Sequence, residues 1–131
     1  MEQTAYGFSK VVVLGYEDAI EKVIEELKKE GFGVLTEIDV KATLKKKLDV
    51  DIKPYMILGA CNPPFAYKAL LAEEQIGLML PCNVAVYVNE KNATVVAAID
   101  PVAAMQPVQN ASLAEVANEI QGRLKKVIAA L

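Results

Sequence analysis

Residues 54–88 read PYMILGACNPPFAYKALLAEEQIGLMLPCNVAVYV, and this stretch holds both cysteines, four of the six prolines and the two longest apolar runs of the chain. Each apolar run meets a Cys-Asn pair beside proline. Cys61-Asn62-Pro63-Pro64 ends the first, and Pro81-Cys82-Asn83 opens the second. Tyr55 to Ala60 follows Pro54 and reads as a strand. Asn62 is placed to cap a helix whose first turn takes Pro63 or Pro64, where a missing N–H costs nothing, and which runs through Tyr67 to about Ala72. Val84 to Val88 is the next strand, Asn89 to Asn92 a turn, and Thr94 to Ile99 its hairpin partner.

Before this stretch, Phe8 to Leu14 forms a strand whose unbroken VVVL predicts a place inside the sheet or beside the helices. Glu17 to Glu30 is a helix, with Ile20, Val23, Ile24 and Leu27 on one face and Gly31 as its left-handed stop. Gly33 to Ile38 is a short strand. Val40, Leu44 and Leu48 then describe a narrow helix among Lys41, Lys45, Lys46 and Lys47, read as a solvated face because no aromatic or arginine is interleaved for nucleic acid. After the hairpin, Asp100-Pro101 begins a loop or single helical turn. Ser112 and Glu115 have capping-box spacing ahead of a last amphipathic helix through Leu131.

One tight hairpin and long helices near both ends predict an α+β fold: a mainly antiparallel sheet of about five strands with the long helices on one face. An alternating parallel α/β arrangement is the weaker alternative, since the two strands of the hairpin are joined too tightly to run parallel. At 131 residues the chain fits one domain, residues 1–131, able to bury about two-thirds of its unfolded surface. A net charge of −3 supplies no drive toward nucleic acid or anionic lipid. The longest apolar stretch, Ile76 to Val88, is interrupted by Pro81 and Asn83 and is shorter than the roughly 20 residues a spanning helix needs. No basic leader segment opens the chain, so a cytosolic location is expected, with the cysteines as reduced thiols. The chain contains no histidine, which removes the commonest general base and metal ligand.

The run GFGVLTEIDVKATLKKKL, the LGACNPP and LPCNVAVY boxes and the following Asp100-Pro101 together resemble the uncharacterised prokaryotic family known as domain of unknown function 302. The resemblance covers nearly the whole chain, with Tyr67 standing where the family pattern would have histidine. It implies an α+β fold similar to the TATA-box-binding-protein class, with a curved antiparallel sheet backed by helices, and it implies no established activity.

If the strands at Tyr55–Ala60 and Val84–Val88 are antiparallel neighbours, Cys61 and Cys82 meet face to face or diagonally at one sheet edge, beside Asn62, Asn83 and the start of the helix at Pro63-Pro64. A helix N-terminus there lowers a thiol pKa and favours anions. Cys61, Asn62, Pro63, Pro64, Tyr67, Cys82 and Asn83 are therefore the candidate ligand-binding residues. A redox pair, a metal site completed by a partner chain and a small-ligand pocket compete with plain packing, in which cysteine is a small hydrophobe and Asn and Pro shape turns. No catalytic residue, metal set or cofactor follows from these motifs, and the chain reads as a non-catalytic binding or interaction module.

The pleat predicts a homodimer. Strand residues alternate between faces, yet both alternating sets are apolar in each strand: Tyr55, Ile57 and Gly59 against Met56, Leu58 and Ala60, then Val84, Val86 and Val88 against Ala85 and Tyr87, then Val96 and Ala98 against Val95, Ala97 and Ile99. Monomers rarely leave an apolar face uncovered, so either a second copy or an apolar ligand is expected to cover it.

Overall fold

A computed structural model describes residues 1–131. Six strands form one sheet in the order β1-β2-β6-β5-β4-β3, and every neighbouring pair is antiparallel. They are β1 Glu2–Gln3, β2 Gly7–Val12, β3 Gly33–Asp39, β4 Tyr55–Cys61, β5 Cys82–Val88 and β6 Thr94–Ile99. The α+β expectation holds, with β1 added at one edge. Its two exposed residues carry no hydrophobic pattern, and pairing with Phe8 and Ser9 is what makes them a strand.

The helices are α1 Tyr16–Lys29, α2 Val40–Leu48, α3 Pro63–Ala72, α4 Pro101–Met105 and α5 Ala114–Ala129, with a 3₁₀ segment at Glu74–Met79. Val23 and Leu27 of α1, with Ile120, Leu124, Val127 and Ile128 of α5, pack on the strand residues that point their way. Those are Phe8, Leu58, Val84, Val86, Val96 and Ala98, and the register sets Phe8, Ala98, Val84 and Leu58 side by side across four strands. One sheet face is thus the core. The opposite face carries Ser9, Ala97, Ala85 and Ile57 in a second cross-strand row, beside Tyr55 and Tyr87, whose rings stack at 5.1 Å.

The VVVL run illustrates the difference between the faces. β2 ends at Val12, which is buried. Val11 is 61% exposed and Val13 wholly so, because the former lies on the uncovered face and the latter beyond the sheet. An apolar run on a sheet with one open face need not mean burial on both sides.

Capping also departs from the pattern at Ser112. That residue sits within a 3₁₀ turn, Ala111–Leu113, and Asn110 is the cap, its Oδ1 accepting from the Ser112 N–H at 2.9 Å. α5 begins one turn later without a side-chain cap. Asn110 also donates Nδ2 to the Ala72 carbonyl at 2.9 Å, so it ties the end of α3 to the start of α5. Two other contacts bring the strands close at the site. A Cβ on Gly59 would collide with the Thr36 hydroxyl and lie 2.9 Å from Pro81 Cγ, so glycine is required there.

Candidate functional site

β4 and β5 pair with Ala60 opposite Cys82 and Gly59 opposite Asn83, which brings the two Cys-Asn boxes to the same end of the sheet. Cys61 and Cys82 are diagonal neighbours, and both are free thiols. α3 leaves the sheet directly after Cys61. Its first two positions are Pro63 and Pro64, whose fixed backbone suits a helix start but supplies no N–H.

Asn62 does not cap α3, contrary to the cap predicted from its position. The N–H of the second helical position, an ordinary target of a cap, is missing at Pro64. The Asn62 side chain turns the other way and donates Nδ2 to the Glu30 carbonyl at 3.2 Å. The same carbonyl accepts from Arg123 Nη1 at 3.0 Å. Gly31 follows at φ 86°, and a Cβ there would approach Asn62 Nδ2 to 3.1 Å. The end of α1, the start of α3 and the middle of α5 are therefore pinned at one carbonyl. Arg123 is held further by Glu119 at 3.0 Å, with its guanidinium 5.1 Å from the Phe65 ring centre.

Between these elements lies a half-open cavity of about 280 Å³. Ala60, Cys61 and Cys82 of the sheet form one side; Phe65, Ala66 and Ala69 of α3 form the next. Pro101 and Met105 of α4, with Ala117 and Ile120 of α5, close it opposite. Asn62 is the single polar residue on the wall apart from the thiols, and no charged side chain reaches it.

Of the seven residues singled out in the sequence, Cys61, Asn62 and Cys82 come together on this wall. Pro63 and Pro64 shape the entry of α3 but do not line the space, and Tyr67 is 64% exposed outside it. Asn83 lies apart from them with Ile57, Ala85 and Tyr87 on the open sheet face. The residues missed were the small ones, Ala66, Ala69 and Ala117, together with Phe65 and Met105. For those on α3, the signal was a helix apolar on nearly every side, PPFAYKALLA, which covers a hollow with one face and meets solvent with Tyr67 and Leu71.

The electrostatics differ from those expected of an activated thiol. Burial, with Cys61 beside it as the lesser cause, pushes the Cys82 thiol up to about 11. The double proline removes two of the N–H donors that would have stabilised a thiolate at the start of α3. A neutral thiol is stabilising while it stays neutral: below pH 9, where the unfolded chain also keeps the proton, its contribution is full. Between about pH 9 and 11 the unfolded thiol ionises and the folded one does not, so stability falls by about 2 kcal/mol. Urea denaturation across that range is expected to show a shallower decline for Cys82→Ala than for the parent, and equal slopes would show a solvated thiol. No group of three or more cysteine and acidic side chains is gathered anywhere in the chain, so the two thiols lack the further ligands of a zinc set. No helix is long and apolar enough to cross a membrane.

The comparisons with known proteins agree with this architecture. The family model for "Domain of unknown function DUF302" matches residues 8–131. A crystal structure of an uncharacterised conserved DUF302 protein from Bacillus stearothermophilus superposes with a TM-score of 0.89 at 31% identity, covering 96% of this chain and 98% of that one. No curated protein matches the chain. On the family model and the full-length structural match together, the chain belongs to the DUF302 family.

Proposed function

We propose that the chain is a non-catalytic binding module that takes a small apolar molecule into the cavity between α3 and α5, and that two copies associate through the open sheet face. The cavity carries the first part. Its wall is almost wholly apolar and holds a few fixed polar groups, as ligand sites do, and its 280 Å³ lies near the lower end of the roughly 300–1,000 Å³ such sites span. A cytosolic setting suits two unpaired thiols. The thiol-redox alternative draws less support, because attack requires a thiolate and Cys82 resists forming one.

The test uses N-phenyl-1-naphthylamine, a neutral dye that brightens out of water. It is expected to bind in a single saturable step, and Ala66→Phe, which fills the cavity from α3, is expected to abolish that step while the thermal midpoint stays within a few degrees. Binding that survives Ala66→Phe, or that is absent from the parent chain, would overturn the ligand reading.

A further inference from the structure

The polar inventory of the cavity wall restricts what can enter it. A carboxylate needs a cation or several N–H donors to replace its water, and an uncompensated buried charge costs far more than an apolar contact returns. The wall has no charged side chain. Two cations lie over the Phe65 ring and neither lines the cavity: Arg123 is already taken by Glu119 and by the Glu30 carbonyl, and Lys68, 5.2 Å from the ring centre, is exposed to solvent. Pro63 and Pro64 remove two N–H groups from the helix start that would otherwise face an anion.

Apart from the two weakly polar thiols, what remains is an acceptor. Asn62 is 6% exposed, and its amide orientation is fixed because the Glu30 carbonyl can only accept, so Nδ2 must face Glu30. The Asn62 Oδ1 is then left with no hydrogen bond from the chain and is not sealed from solvent, on a residue that lines the cavity. A ligand that offers it a donor satisfies a group that an apolar ligand would strand.

We infer that the cavity selects neutral, mainly apolar molecules that carry one hydrogen-bond donor, aromatic alcohols being the simplest class, and that it rejects carboxylates of the same shape. The inference rests on the cavity being a ligand site. Displacement of N-phenyl-1-naphthylamine at neutral pH by naphthalene, naphthalen-2-ol and 2-naphthoate tests the two separately. Naphthalen-2-ol is expected to bind several-fold to about tenfold tighter than naphthalene, the worth of one hydrogen bond. The carboxylate is expected to bind at least about 100-fold more weakly than the alcohol. Equal displacement by alcohol and carboxylate would overturn the selectivity while the dye result and its loss in Ala66→Phe keep the site. Equal affinity of alcohol and hydrocarbon would remove the role of Asn62. Failure of the dye itself to bind would take both readings down together.

Discussion

Asp100→Ala is expected to lower stability by about 3 kcal/mol, near the top of what a single polar substitution does. Asp100 is 6% exposed, and its Oδ1 accepts from the backbone N–H of Val102 at 2.9 Å, of Ala103 at 3.4 Å and from Gln121 Nε2 at 3.0 Å. The first two bonds cap α4, and loss of such a cap costs about 1–2 kcal/mol. The third joins the start of α4 to α5, and leaving the Gln121 amide without a partner beside a buried site adds a comparable amount. The consequence reaches the cavity, since α4 carries Pro101 and Met105 on its wall. Asp100→Asn keeps an oxygen in the same place and is expected to cost well under half as much. Urea denaturation of the three chains measures this; a loss below about 1 kcal/mol for the alanine variant would show that α4 is held by packing alone.

Asp100 also marks what could be read in the sequence and what could not. The strands from Tyr55 to Ile99 and the stripes of α1 and α5 are local signals, with periods of two and 3.6, and the structure returns them within a residue or two. The α+β class followed from the hairpin and the long helices, while the pairing of β4 with β5 was a supposition in the sequence that the register bears out. Caps were less legible because the motif describes residue types and the outcome depends on competitors. Ser112 had capping-box spacing, but α5 has no side-chain cap; Asn110 two residues earlier caps the 3₁₀ turn before it while its amide reaches the Ala72 carbonyl. Asn62 had the place of a cap and became a tether, because the proline that fits the helix start lacks the N–H a cap needs. The cavity was hidden for another reason. Its wall joins residues from Phe32 to Ile120, and its most telling members are alanines, which carry no pattern until long-range packing places them around a hollow.

Ala85→Asp is expected to weaken self-association about a thousandfold while leaving the fold intact, and it tests the part of the proposal that concerns the open face. Ala85 is half-buried on β5, flanked in register by Ala97 on β6 and Ile57 on β4, with the Tyr55–Tyr87 stack beside it. The row is apolar across three strands, Ala97, Ala85 and Ile57, with Ser9 at its β2 end, and neither α1 nor α5 packs its core residues on it. A two-fold pairing of such faces would bury on the order of 1,200–2,000 Å². At its centre an aspartate from each copy would be desolvated, with no basic residue in the row to receive it. Burying an unpaired charge in an interface costs about 2–5 kcal/mol, and two facing like charges place the expectation near the upper end. In the monomer the same side chain points to water, so thermal stability measured at high dilution should be nearly unchanged. Sedimentation at micromolar concentration is expected to give a dimer for the parent chain and a monomer for the variant. A parent chain that sediments as a clean monomer would leave the open face without a second copy, and the stacked tyrosines would then need a different occupant.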